Sequence, residues 1–203
     1  MDLLLTLNLA LGELVSPLTA AYILCAIGLA MHFGYTGLLN FGQAAFAAVG
    51  AYGMAIGVLT LKLPLLVAMG FALLCVIGFA LILGIPTLRL RADYLAIVTI
   101  AASEVFRYLM STSGFATVTG GSNGLSQFGY EFYTWNPIPK GQYNLGLFTW
   151  SEEEVWLRIV AFSLVALSAT LVWLMMRSPW GRVLKGIRED EDAVRSLGKN
   201  VFW

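Results

Sequence analysis

The stretch LPLLVAMGFALLCVIGFALILGI occupies Leu63–Ile85 and contains no Asp, Glu, Lys or Arg. A helix needs about 20 mainly apolar residues to cross the hydrocarbon core of a bilayer, and this run is long enough. Four further runs flank it: Leu14–Phe33, Phe41–Leu61, Tyr94–Thr112 and Val155–Met176. The first two of these also lack charge. The residues up to Glu13, MDLLLTLNLALGE, are too few to span and read as a short interfacial helix. Hydrophobicity continues through the chain, so its start is not a cleavable signal peptide ahead of a soluble body.

Composition agrees. Of 203 residues, 59% are hydrophobic and 12% are charged. Soluble domains carry about twice that charged fraction. The net charge is zero, so the total shows no nucleic-acid footprint and no nucleic-acid partner is expected. Cys25 and Cys75 lie inside apolar runs and read as buried packing thiols. The lone His32 makes no metal site and reads as a structural or interfacial side chain. The expected fold is an all-α, polytopic transmembrane helix bundle of about five spans over residues 1–176, with a cytoplasmic segment at 177–203.

Orientation follows Lys and Arg, which favour the cytoplasmic side in short flanks. The tail carries Arg177, Arg182, Lys185, Arg188, Arg195 and Lys199 and is expected inside. The loop Ser113–Glu154 has one Lys, no Arg, and the acids Glu131 and Glu152–Glu154, and is expected outside. The connection PTLRLRADY (Pro86–Tyr94) holds Arg89 and Arg91 and is expected inside. Alternation then places the amino terminus outside.

Two runs hold polar candidates. In the second, Ala47, Ala51 and Ala55 form one line of small residues, with Gly42, Gly50, Gly53 and Gly57 beside it. Small residues let helix backbones approach closely in lipid. A buried central helix and a helix beside a substrate path both fit. The preceding GYTGLLNFGQ favours the path: Gly34, Gly37 and Gly42 loosen the helix, while Thr36, Asn40 and Gln43 offer polar groups. Irregular backbone at membrane depth is tolerated only under cover of protein or a water-filled cavity. In the fourth run Glu104 and Arg107 are spaced i,i+3, on one face and within reach of each other. A lone charge at the bilayer centre costs at least about 2.5–3.5 kcal/mol on insertion scales. A pair facing a protein interior or wet cavity costs less, so a structural ion pair and a path element stay open.

In the outer loop, TVTGGSNGLSQFG places Gly120, Gly121 and Gly124 around Ser122 and Asn123, a turn cluster. It fits a cap over a path, a contact for an external partner, or an ordinary solvated turn. The tail segment Arg177–Asn200 holds ten of the chain's 24 formal charges. Ser178–Pro179 reads as a helix start, with Ser as cap and Pro in the first position. A second short helix is expected from about Asp190 to Gly198, with acids at its start and Arg195 near its end. So short a helix is not stable alone and must dock. The acids Glu189, Asp190, Glu191 and Asp192 disfavour anionic lipid and favour a cytoplasmic partner.

Four stretches carry a family resemblance: GYTGLLNFGQAAFAAVGAY (Gly34–Tyr52), LRLRADYLAIVTIAASEVFR (Leu88–Arg107), TGGSNGL (Thr119–Leu125) and SPWGRVLKGIREDEDAVRSLGKNV (Ser178–Val201). In this order they resemble the permease subunits of bacterial branched-chain amino acid ABC importers. The resemblance implies a transport subunit in the cell (inner) membrane, working with a second homologous permease subunit, two cytoplasmic ATPase subunits and an extracytoplasmic amino-acid-binding protein. It implies that the tail couples to the ATPase through Gly181, Arg182, Glu189, Asp190, Glu191, Asp192, Ala193 and Gly198. No G-x-x-x-x-G-K-[ST] occurs in the chain, so ATP-Mg is expected on a separate chain and no cofactor on this one. Family members continue with further spans, so a truncated product is expected. The same motifs fit a urea or short-amide permease. Glu104 alone would also suit an ion-coupled secondary transporter, and a fragment that only binds partners is a third reading. No nucleophile–base pair or metal cluster supports catalysis.

Overall fold

The computed structural model describes residues 3–87, 92–145, 148–190, 194 and 196. Helix α1 (Leu3–Leu14) is followed by α2 (Pro17–Leu29), whose start is capped by Ser16: its hydroxyl accepts from the Thr19 N–H at 3.2 Å. Helix α2 widens into a π-helical turn, Ala30–Tyr35. After an unwound stretch come α3 (Gln43–Leu59), α4 (Leu65–Thr87) and α5 (Ala92–Ser111). A long connection follows, then α8 (Glu152–Arg177) and α9 (Pro179–Glu189). Among the described residues, four segments are long and apolar enough to span: Pro17–Tyr35, Leu65–Thr87, Tyr94–Ser111 and Glu152–Arg177. The fifth expected span, α3, has 17 residues. At 1.5 Å per residue that is about 25 Å, short of a roughly 30 Å hydrocarbon core.

Helices α3 and α4 pack antiparallel along small residues. A Cβ at Gly53 would lie 3.1 Å from the Ala72 Cα, one at Gly57 3.1 Å from the Ala68 Cβ, and one at Gly50 3.4 Å from Val76. In lipid no hydrophobic effect drives helices together, so close backbone approach supplies the contact. The glycine line is therefore the seam. Of the alanine line, Ala55 is buried while Ala47 and Ala51 stand exposed, which corrects the single small-residue face expected from spacing. Helix α5 runs parallel to α3: Tyr52 meets Phe106 at 6.3 Å between ring centroids. Phe79 meets Phe106 at 5.7 Å and Phe46 at 5.1 Å, tying α4 into the same aromatic cluster. Cys75 abuts the Gly53 position, and both cysteines are free and partly exposed rather than fully buried.

The connection after α5 contains α6 (Ala116–Thr119), α7 (Tyr130–Thr134) and an antiparallel pair, β1 (Gln142–Leu145) with β2 (Phe148–Ser151), in register Gln142 to Ser151. It closes the helix ends on its side. The Glu131 carboxylate accepts from the Leu65 N–H at 2.8 Å, placing negative charge at the start of α4. Ser151 and Glu154 form a reciprocal capping box at the start of α8. The Phe148 ring lies 3.5 Å from a Cβ at Gly12, bringing α1 to the same side.

Gly53→Leu is expected to lower the thermal unfolding temperature of the detergent-purified protein, because overpacking a tight seam costs typically about 1–3 kcal/mol. Gly78→Leu on the same pair of helices is the contrast. No described atom lies within 4 Å of a Cβ there, and its melting temperature should stay near wild type.

Candidate functional site

The break between α2 and α3 is the least regular backbone in the helical bundle. The Leu38 N–H reaches back to the His32 carbonyl at 3.0 Å, and the Thr36 hydroxyl donates to that carbonyl. Gly37 has φ +72°, a left-handed conformation that glycine adopts without Cβ strain. Helical hydrogen bonding resumes only when the Ala45 N–H meets the Gly42 carbonyl at 2.9 Å.

Two side chains hold the end nearer α3. The Thr99 hydroxyl, on α5, accepts from the Phe41 N–H at 3.1 Å and donates to the Ala96 carbonyl at 2.9 Å. The Asn40 carboxamide oxygen accepts from the Gly42 N–H at 2.9 Å. Both side chains are buried, with Thr99 3% exposed. Gly42 is hemmed in, since a Cβ there would lie 3.1 Å from the Asn40 oxygen and 3.3 Å from the Thr99 Cβ. Thr99 lies seven residues into α5, about 10 Å along the axis from its start at 1.5 Å per residue. The break therefore penetrates the bundle before α3 begins, which is why α3 is short. Gln43, the first residue of α3, sets its amide against Gly28 on α2.

The other end meets α9. The Arg188 guanidinium donates to the Gly34 carbonyl, and its side-chain stem fills the space where a Gly37 Cβ would go, at 3.2 Å. The Lys185 ammonium stands 5.8 Å from the Tyr35 ring centroid. Helix α9 turns sharply off α8, and Gly181 permits it: a Cβ there would collide with the Met176 backbone. Pro179 takes the first helical position as expected. Ser178 does not cap with its side chain. Its hydroxyl donates instead to the Met175 carbonyl at 2.6 Å, satisfying the end of α8 rather than the start of α9.

Thr36, Asn40 and Gln43 thus cluster at the break, whereas Glu104 and Arg107 do not join them. On α5 two guanidinium N–H groups of Arg107 donate to one Glu104 carboxylate oxygen at 2.8 and 3.1 Å, with the Glu104 and Arg107 side chains 52% and 59% exposed, on the face turned away from α3 and α4. Of the tail residues, Gly181 is buried while Arg182, Glu189 and Asp190 are exposed. Glu191, Asp192, Ala193 and Gly198 lie outside the described residues. Of the expected second tail helix, Val194 is helical and packs on Gly186, with its N–H 3.3 Å from the Asp190 carbonyl.

The glycine cluster of the long connection is a tight turn pinned to α5. Gly120, Gly121 and Gly124 all have positive φ, near +74°, +57° and +68°. Asn123 sits between them, its N–H 3.2 Å from the Gly120 carbonyl. Buried Thr119 donates to the Met110 carbonyl at 2.9 Å and accepts from the Gly121 N–H at 3.2 Å. A Cβ at Gly120 would collide with the Gly124 carbonyl, so glycine is a requirement of the turn itself.

The sequence reading overlooked Thr99 and the contact role of Arg188. Thr99 lies in an apolar run, and Arg188 is one of six tail cations. The only signal was that a break beginning with Gly34 needs partners for its backbone groups.

Residues 14–203 match a family model described as the permease component of branched-chain amino acid transport systems. The chain belongs to that permease family. Its apolar helices make it a multi-pass membrane protein. It is 36% identical over 197 residues to the high-affinity branched-chain amino acid transport system permease protein LivM of Escherichia coli (strain K12), covering 91% of this chain and 45% of that protein. The LivM protein of Salmonella typhimurium gives the same identity and coverage. A probable LivM permease of Methanocaldococcus jannaschii is 26% identical over 220 residues, covering 89% of this chain and 57% of the relative. The chain spans about half the length of these curated relatives. No solved structure matches it.

Thr99→Val removes the acceptor for the Phe41 N–H while keeping the side-chain shape. An unsatisfied buried donor costs about 1–3 kcal/mol, so the variant should melt earlier and expose a cysteine placed at Leu38 to thiol reagents faster. Thr99→Ser keeps the hydroxyl and should behave as wild type in both assays.

Proposed function

We propose that this chain provides the transmembrane permease subunit of an ATP-binding-cassette importer that moves branched-chain amino acids into the cytoplasm across the cell (inner) membrane. The single observation that carries the mechanism is the contact between α9 and the break before α3. It gives a tail outside the bundle a direct hold on irregular backbone inside it. Family membership supports the transport class, and the names of the relatives support the substrate class.

In this reading the tail lies in the cytoplasm and the long connection lies outside, following the distribution of Lys and Arg. Helix α5 carries an ion pair on its exposed face, within a span. Such a pair is tolerable where protein or water covers it, not lipid. That face therefore looks toward a second homologous permease subunit, and Glu104 and Arg107 border the path between the two. Thr36, Asn40 and Gln43 line or support the cytoplasmic part of that path. An extracytoplasmic binding protein delivers the amino acid at the outer loop around Gly120–Gly124. Two ATPase subunits hold ATP-Mg and engage the tail, where Gly181 sets the turn and Arg182, Glu189, Asp190, Glu191, Asp192, Ala193 and Gly198 form or shape the coupling surface. Closure of the ATPase pair pushes on the tail, and the bundle alternates its opening.

The test is uptake of labelled leucine into proteoliposomes holding the complete transporter, with ion gradients collapsed by ionophores. Uptake should require enclosed ATP and the binding protein. Uptake that follows an ion gradient and ignores ATP would contradict the proposal. Transport of urea in place of leucine would change the substrate class and leave the importer class intact.

A further inference from the structure

The π-helical turn ends at Tyr35, and α9 supplies a donor to the Gly34 carbonyl from outside the bundle. Two cations spaced i,i+3 on α9 face this stretch together. Lys185 sits over the Tyr35 ring, and Arg188 donates to the Gly34 carbonyl while its stem lies on Gly37. The far end of the same stretch is fixed to α5 through Phe41 and Thr99. The unwound residues are thus held at both ends, by a tail helix at one and by a spanning helix at the other. Motion of α9 along the membrane surface must pull on Gly34–Gly37 unless the arginine contact breaks. It must then load the Phe41–Thr99 hydrogen bond, because only a few residues separate the two anchors. A charged guanidinium–carbonyl bond is stronger than a neutral one and suits a link that must bear such a pull. Gly37 is required by both parts: its φ is +72°, and a Cβ would press on the arginine stem.

We propose that Arg188 is a positioning residue for transport, the link through which movement of α9 reaches the break before α3. Arg188 does not touch substrate; it sets where the path-lining backbone lies. The inference rests on the importer reading above and adds to it a specific route from tail to path.

The experiment uses the complete transporter in proteoliposomes and measures leucine taken up per ATP hydrolysed, alongside co-purification of the ATPase subunits and melting temperature. Arg188→Gln should assemble and hydrolyse ATP, yet transport at least about fivefold less per ATP, the lower bound of a typical coupling energy. Arg188→Lys keeps a charged donor and should recover part of the loss. Gly37→Ala approaches the same contact from the break and should uncouple in the same way. It also serves as the second variant if Arg188→Gln fails to assemble. Normal uptake per ATP in an assembled Arg188→Gln or Gly37→Ala transporter would overturn the proposal. Loss of uptake strictly in proportion to lost ATPase subunits would also overturn it, making Arg188 a docking residue. A wild-type complex without ATP-dependent uptake would instead overturn the importer reading itself.

Discussion

Every backbone N–H and carbonyl at membrane depth must find a partner, because no bulk water is present to provide one. The stretch between α2 and α3 gives up helical hydrogen bonds for several residues, and the rest of the bundle is arranged around replacing them. Thr99 is buried on α5 to accept from Phe41, Asn40 folds back onto Gly42, and Arg188 comes in from beyond the last span to donate to Gly34. Remove any of these and an orphaned polar group is left within or at the edge of an apolar bundle. The break is therefore costly, and it persists because α5 and α9 both converge on it while Asn40 holds it from within.

The same constraint explains the close α3–α4 seam. Helix α3 begins late and is short, and the length it has is closely packed. Backbone approach at Gly50, Gly53 and Gly57 brings α3 hard against Ala68, Ala72 and Val76. The aromatic cluster of Phe46, Tyr52, Phe79 and Phe106 then fixes α5 to the pair, which sets Thr99 beside the break. On its opposite face α5 displays Glu104 and Arg107. That face satisfies the two charges with each other, and needs further protein or water against it to be stable in a bilayer.

The helical spans were legible because length and apolarity alone settle them, and Leu63–Ile85 differs from α4 by only two residues at each end. The break was legible as a cluster of Gly34, Gly37 and Gly42 with polar neighbours. Its anchors were not, since Thr99 and Arg188 are distant in sequence and carry no motif of their own. Glu104 and Arg107 were read correctly as a pair, but spacing cannot say which face of a helix meets its neighbours. The β1–β2 hairpin escaped notice because a four-residue strand in an aromatic-rich loop offers little periodicity. Ser178 shows a different limit. A serine before a proline looks like a cap, yet the turn into α9 leaves its hydroxyl nearer the Met175 carbonyl.

Helix α9 rests on the break before α3. Cross-linking tests this contact most directly. Cys25 and Cys75 are first replaced by Ala, then single cysteines are placed at Tyr35 and Lys185, and a short bifunctional thiol reagent is added to membranes. A control pair at Gly50 and Val76, in contact across the α3–α4 seam, reports that the bundle is folded. An efficient Tyr35–Lys185 cross-link is expected wherever the control pair closes. A closed control pair with no cross-link between Tyr35 and Lys185 would place α9 elsewhere and contradict that contact.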